Sequence, residues 1–144
     1  LDSKISGTDG IATNLTSRQT LNVSEKITAL SVASSVLSVN YFSGGVYYVT
    51  NSSATNFNIQ LTNCNPTSST ATTNIITLLI NASTNETFAE TISINGVSRP
   101  ILFSGGLANI DTAGASVIQQ SIAVIYSGSS GSPVAVMSSV VPFF

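Results

Sequence analysis

Asn56–Thr62 alternates cleanly, with Phe57, Ile59 and Leu61 apolar and Asn58, Gln60 and Thr62 polar. A period of two places the first set on one face of a β-strand and the second on the other. Similar short runs lie on both sides. Ser34–Asn40 carries Val36, Leu37 and Val39, and Val46–Thr50 holds the adjacent Tyr47 and Tyr48. Those two tyrosines point to opposite faces, so at most one belongs to a core. Asn74–Asn81 is a continuous apolar run, the pattern of a strand covered on both sides. Thr87–Ile94, Pro100–Ser104, Ser116–Tyr126 and Val134–Ser138 extend the series to a terminal Val140-Val141-Pro142-Phe143-Phe144. Exposed, that apolar end invites aggregation, so Phe143 and Phe144 are expected to tuck into the domain or a neighbouring copy.

Turn chemistry separates the runs: Ser43-Gly44-Gly45, Asn51-Ser52-Ser53, Asn65-Pro66, Asn95-Gly96, Ser104-Gly105-Gly106 and Ser127 to Pro133. Asn95-Gly96, flanked by Ile94 and Val97, is the strongest hairpin signal, because a type I′ turn needs positive φ at both central residues. No helical amphipathicity is visible after residue 30. Seven or eight strands at this spacing predict an all-β fold, an antiparallel β-sandwich or a jelly-roll-like barrel, over 31–144.

Residues 1–30 read differently, as an arm or short stalk. Leu1, Ile5, Thr8, Ala12, Leu15 and Gln19 recur at the alternating four-and-three spacing of a coiled-coil seam, which Gly7 and Gly10 interrupt. Leu21, Val23, Ile27 and Ala29 alternate as strand positions do. Neither form buries its apolar stripe alone, so Leu1, Ile5, Leu15, Leu21 and Val23 are the expected assembly contacts. The first residue is Leu1 rather than Met, as in a processed product or a segment of a longer protein, and no signal peptide is legible.

The 144 residues are 42% hydrophobic and only 7% charged, with net charge −2 and mean hydropathy +0.37. This is not the composition of a disordered chain. Six of the ten charges (Asp2, Lys4, Asp9, Arg18, Glu25, Lys26) fall in the first 30 residues, and none lies between Ile27 and Asn85 or after Asp111. Four scattered cations (Lys4, Arg18, Lys26, Arg99) cannot make a phosphate-binding surface, so nucleic acid is excluded as a partner. No apolar run has the length of a membrane helix. A single cysteine and no histidine remove the commonest zinc ligands and the commonest general base. No enzyme activity, metal or cofactor is expected.

Few residues carry candidate chemistry. Glu86 and Glu90 are the one close carboxylate pair, read as a solvated hairpin rim that shares a face if the segment is a strand. Asp111 reads as a turn residue bonding its own backbone. Cys64, in Asn63-Cys64-Asn65-Pro66, reads as a buried or partly buried thiol without a base to activate it. Asn-x-Ser/Thr glycosylation signals at Asn14, Asn22, Asn51, Asn81 and Asn85 occur about as often as chance gives in a chain so rich in Ser and Thr. Tyr41, Tyr47, Tyr48 and Tyr126 are the candidate recognition side chains, the kind that meets a host-surface glycan or another subunit.

Ile94-Asn95-Gly96-Val97, Ile101-Leu102-Phe103-Ser104-Gly105-Gly106, Ser121-Ile122-Ala123-Val124-Ile125-Tyr126 and Val134-Ala135-Val136-Met137 follow a recurring pattern. So do Asn40-Tyr41-Phe42-Ser43-Gly44-Gly45-Val46-Tyr47-Tyr48 and Asn56–Thr62. Across about residues 38–139 the chain resembles the C-terminal β-rich domains of virion structural and fibre-like proteins of aquatic viruses, both cyanophages and large algal viruses. The resemblance implies a particle component, a fibre or surface-decoration protein outside the cell, with no catalytic residues. Its expected partners are copies of itself, as a trimer or larger assembly, and other particle proteins. Two alternatives stand beside it: a cellular extracellular filament or pilus subunit that donates its N-terminal strand, and a carbohydrate-binding module.

Overall fold

The computed structural model describes residues 26–66, 69–128 and 131–144. Ten strands make up most of them: β1 (Ile27–Ser31), β2 (Val36–Asn40), β3 (Val46–Thr50), β4 (Phe57–Thr62), β5 (Thr72–Asn81), β6 (Ala89–Ile94), β7 (Val97–Arg99), β8 (Leu102–Phe103), β9 (Val117–Tyr126) and β10 (Ala135–Phe143). Helix is confined to two 3-10 turns, Tyr41–Ser43 and Leu107–Asn109. The chain is β-rich, as the alternation predicts. The two strands beyond the expected count are β1, which begins inside the segment read as an arm, and the short β7.

The strands form a six-stranded sheet in the order β1-β3-β5-β9-β10-β8 and a four-stranded sheet in the order β2-β4-β6-β7. Both are mixed, which corrects the antiparallel expectation. From β1 to β6 the chain crosses to the other sheet after every strand, and each strand lies parallel to the one two earlier. A parallel connection needs a crossover, commonly a helix; here the intervening strand of the opposite sheet serves. The winding stops at the Asn95-Gly96 turn, where β7 folds back antiparallel on β6. Positive φ at Asn95 (50°) and Gly96 (84°) bears out the type I′ turn. Ser34 and Ser35, also at positive φ (50° and 61°), turn the chain between β1 and β2. Later, β9 pairs antiparallel with both β5 and β10.

One cluster of buried side chains draws on both sheets. Phe57, Ile59 and Leu61 from β4 and Leu37 and Val39 from β2 meet Tyr47, Val49, Ile76, Leu78, Ile80, Ile118, Ile122 and Val124. Each large side chain so removed from water contributes about 1.5–3 kcal/mol. Gln120 is fully buried and ties one sheet to the other. Its amide accepts from the Ala89 N–H (2.8 Å) and donates to the Ala89 carbonyl (2.8 Å), as well as to the Ser138 hydroxyl at 3.1 Å. Buried backbone groups need such partners, and an uncharged amide supplies both without an ion's desolvation cost.

Two further expectations need correction. The β5 run is covered on one side only: Ile76, Leu78 and Ile80 are buried while Ile75 is 51% exposed. The terminal apolar residues do not tuck into the domain, since Phe143 is 49% and Phe144 83% exposed. They follow Val134–Ser138 without a break, because β10 runs through Pro142. Beyond Ser138, β10 has a neighbour on one side only, where a missing N–H is tolerated.

Candidate functional site

The register lines up the outward side chains of the six-stranded sheet in rows. Ile75 of β5, Ala123 of β9, Met137 of β10 and Leu102 of β8 form an apolar row. Two residues along, Thr77, Ser121 and Ser139 form a hydroxyl row across β5, β9 and β10. Beyond it, Ala29, Tyr48, Leu79, Gln119 and Val141 make a second, mainly apolar row from β1 to β10. Val117 and Phe143 stand further along the same face. Met137 (50%) and Leu102 (59%) are open to solvent, and a groove of about 400 Å³ runs between Ile75, Leu102, Phe103 and Met137. None of the six strands contains Asp, Glu, Lys or Arg.

The four-stranded sheet presents another chemistry. Ser38, Gln60, Ser93 and Ser98 form one outward row, and Asn58 and Thr91 lie in the next. Many of these groups bond locally. The Thr91 hydroxyl donates to Asn58 Oδ1 at 3.0 Å, Thr62 to the Val39 carbonyl at 3.3 Å, and Asn63 Nδ2 to Asn40 Oδ1 at 2.9 Å.

The tyrosines separate by environment. Tyr48 is 40% exposed on the apolar face, while Tyr47 is fully buried, as their opposite parity requires. The Tyr47 hydroxyl lies 2.9 Å from the Asn40 carbonyl and 2.6 Å from that of Gly44. Tyr126 is also fully buried and donates to the Cys64 carbonyl at 2.7 Å. Tyr47 and Tyr126 are therefore framework, which corrects their assignment to a recognition surface; Tyr41 is half-buried against the core. Burial pushes the phenols of Tyr41, Tyr47 and Tyr126 above the ordinary tyrosine range, with Cys64 adding to the rise at Tyr126.

Cys64 is buried at the centre of a polar knot. Its carbonyl also accepts from Asn95 Nδ2 at 2.8 Å, and Asn74 Nδ2 reaches its sulfur at 3.4 Å and the Asn65 carbonyl at 3.0 Å. The knot fastens the β6–β7 turn to β5 and β9. Among the described residues no three His, Cys, Asp or Glu converge on a metal-sized site. Glu86 and Glu90 are exposed and separately engaged, Glu86 accepting from the Gly114 N–H at 2.7 Å and Glu90 from Asn56 Nδ2 at 3.1 Å. Asp111 Oδ1 accepts from the Ala113 N–H at 3.0 Å, closing the expected turn.

Asn51 is buried, and its Nδ2, the atom a glycan would modify, donates to Thr87 Oγ1 (2.8 Å) and the Thr55 carbonyl (3.1 Å). Asn85 is half-buried, its Nδ2 donating to the Asn51 carbonyl at 3.0 Å. Asn81 is half-buried too, beside a polar cleft of about 330 Å³ lined by Ser31, Thr50, Asn51 and Thr84. Leu1, Ile5, Leu15, Leu21, Val23, Asn14 and Asn22 lie outside the described residues. Of the apolar sheet face, only Tyr48 is among the sequence-derived recognition candidates, although Ile75, Met137 and Phe143 stand in runs that were legible. Compared with family models, curated proteins and solved structures, the chain matches none.

Proposed function

We propose that the chain is a structural component of a virus particle, a self-assembling fibre or surface-decoration protein displayed on the surface of the virion. In this reading the two sheets are the layers of a sandwich-like body, and the N-terminal residues that precede β1 join copies into a trimer or larger assembly. The observation that carries it is the apolar face of the six-stranded sheet, free of acidic and basic side chains. Such a face suits a subunit covered by its neighbours, where ions would pay a desolvation cost. A host-surface glycan is the attachment partner in this reading, and the polar cleft beside Asn81 supplies hydroxyl and amide groups of the kind sugars hydrogen-bond.

The second reading is a cellular filament subunit joined by strand donation. It is favoured by the outermost positions of β1 and β2, which leave an edge of each sheet open at the same end of the winding among the described residues. Immunogold microscopy with antibodies against the chain tests both on particles and cells from the source. Gold on particles supports the first reading, and gold on cell-surface filaments alone selects the second. Labelling of neither overturns both.

A further inference from the structure

We infer that the outer face of the six-stranded sheet docks onto the same face of a second copy, related by a two-fold axis. This deepens the self-assembling reading above by naming the surface and its occupant.

Three observations point to a second copy rather than an unlike partner. The first is area. Six strands about 4.8 Å apart, the longest near 30 Å, give a face on the order of 700 Å² per copy, close to the roughly 800 Å² that each partner contributes to a stable complex. The second is charge: without Asp, Glu, Lys or Arg in its strands, the face meets its own image without repulsion.

The third is the order of the rows. The hydroxyl row Thr77, Ser121 and Ser139 lies midway between the row holding Ile75 and Met137 and the row holding Tyr48, Leu79 and Val141. A two-fold axis lying in the interface, either along the hydroxyl row or along β9, sets the hydroxyls of β5, β9 and β10 against hydroxyls and apolar side chains against apolar ones. Such self-complementarity is what a two-fold interface requires. Face-to-face sheets pack about 10 Å apart with interdigitated side chains. That arrangement also covers Phe143, which stands on this face.

Analytical ultracentrifugation of the full chain, from micromolar to millimolar concentration, tests the pairing. The expected wild-type mass is an even multiple of the 14.8 kDa chain. Ile75→Lys with Met137→Lys should halve that mass and keep the native far-ultraviolet spectrum, while Gln60→Lys on the opposite sheet leaves it unchanged. A second measurement needs no loss of affinity: Ser121→Cys, in the middle of the hydroxyl row, should be joined to its counterpart by a thiol-to-thiol cross-linker spanning about 10 Å, and Ser98→Cys should not. Cys64 is buried and does not compete.

A wild-type chain that stays monomeric, a double-lysine variant of unchanged mass, or one that loses its native spectrum overturns the inference, because an open face tolerates lysine. Failure of Ser121→Cys to cross-link does the same. Gold on particles with a monomeric chain sinks the pairing and leaves the particle reading; pairing without gold does the reverse.

Discussion

The two sheets differ most where they face away from each other. The four-stranded sheet shows Ser38, Gln60, Ser93 and Ser98, with neighbouring hydroxyls and amides bonded locally, as Thr91 is to Asn58. The six-stranded sheet shows Ile75, Ala123, Met137 and Leu102 at the corresponding remove from the core. A low content of charge thus covers two opposite situations. One surface gains by meeting water, and the other gains by leaving it at about 25 cal/mol per Å² of apolar area. Mean hydropathy averages the two and hides the contrast.

Neighbours on β5 give the largest test of that contrast. Ile76→Ala, within the core, should cost about 2–5 kcal/mol, whereas Ile75→Ala, on the outer face, should change the monomer by less than about 0.5 kcal/mol. Urea unfolding of the dissociated chain measures both, and equal losses would erase the distinction between the two sides of the sheet. Next comes the tie between the sheets. Gln120→Ala leaves the Ala89 N–H and carbonyl without their buried partner, an expected loss of about 3 kcal/mol by the same assay.

Tyr126→Phe removes one of two bonds to the Cys64 carbonyl and should cost about 1–2 kcal/mol at neutral pH. Its pH dependence is the sharper sign. Because burial raises the phenols of Tyr47 and Tyr126, the unfolded chain loses these protons first, near the ordinary value of 10.0. Their contribution to stability is complete below about pH 10 and declines as pH rises above it. Tyrosinate absorbance should therefore rise together with unfolding on the alkaline side, and the phenylalanine variant should show a shallower fall. The smallest effect expected is a gain. Replacing Ser34-Ser35 with Asn-Gly suits their positive φ and should stabilise the turn between the sheets by about 1 kcal/mol, read as a higher thermal midpoint.

Local features were legible in the sequence because local chemistry fixes them. Phe57, Ile59 and Leu61 alternate and are buried; Asn95-Gly96 demands positive φ and has it; Asp111 bonds its own turn. Strand direction was not legible. Apolar periodicity is the same for a strand that returns in its own sheet and for one that crosses to the other. The outer face was hidden for a related reason. Ile75, Ala123 and Met137 are far apart in sequence and become one row only through register, while the continuous run Asn74–Asn81 reads as if both of its sides were covered. Tyr126 looked like a recognition side chain because nothing local reveals that its hydroxyl reaches the Cys64 carbonyl.

Pro142 has a consequence for how growth of an assembly is limited. The free margin of β10 is shielded over Met137 and Ser138 by the two-residue β8 and then interrupted by a residue that offers no amide proton. That margin is a poor template for an incoming strand, so runaway ribbon formation is blocked on this side. In the proposed assembly, contact therefore falls to the broad outer face of the six-stranded sheet rather than to this edge.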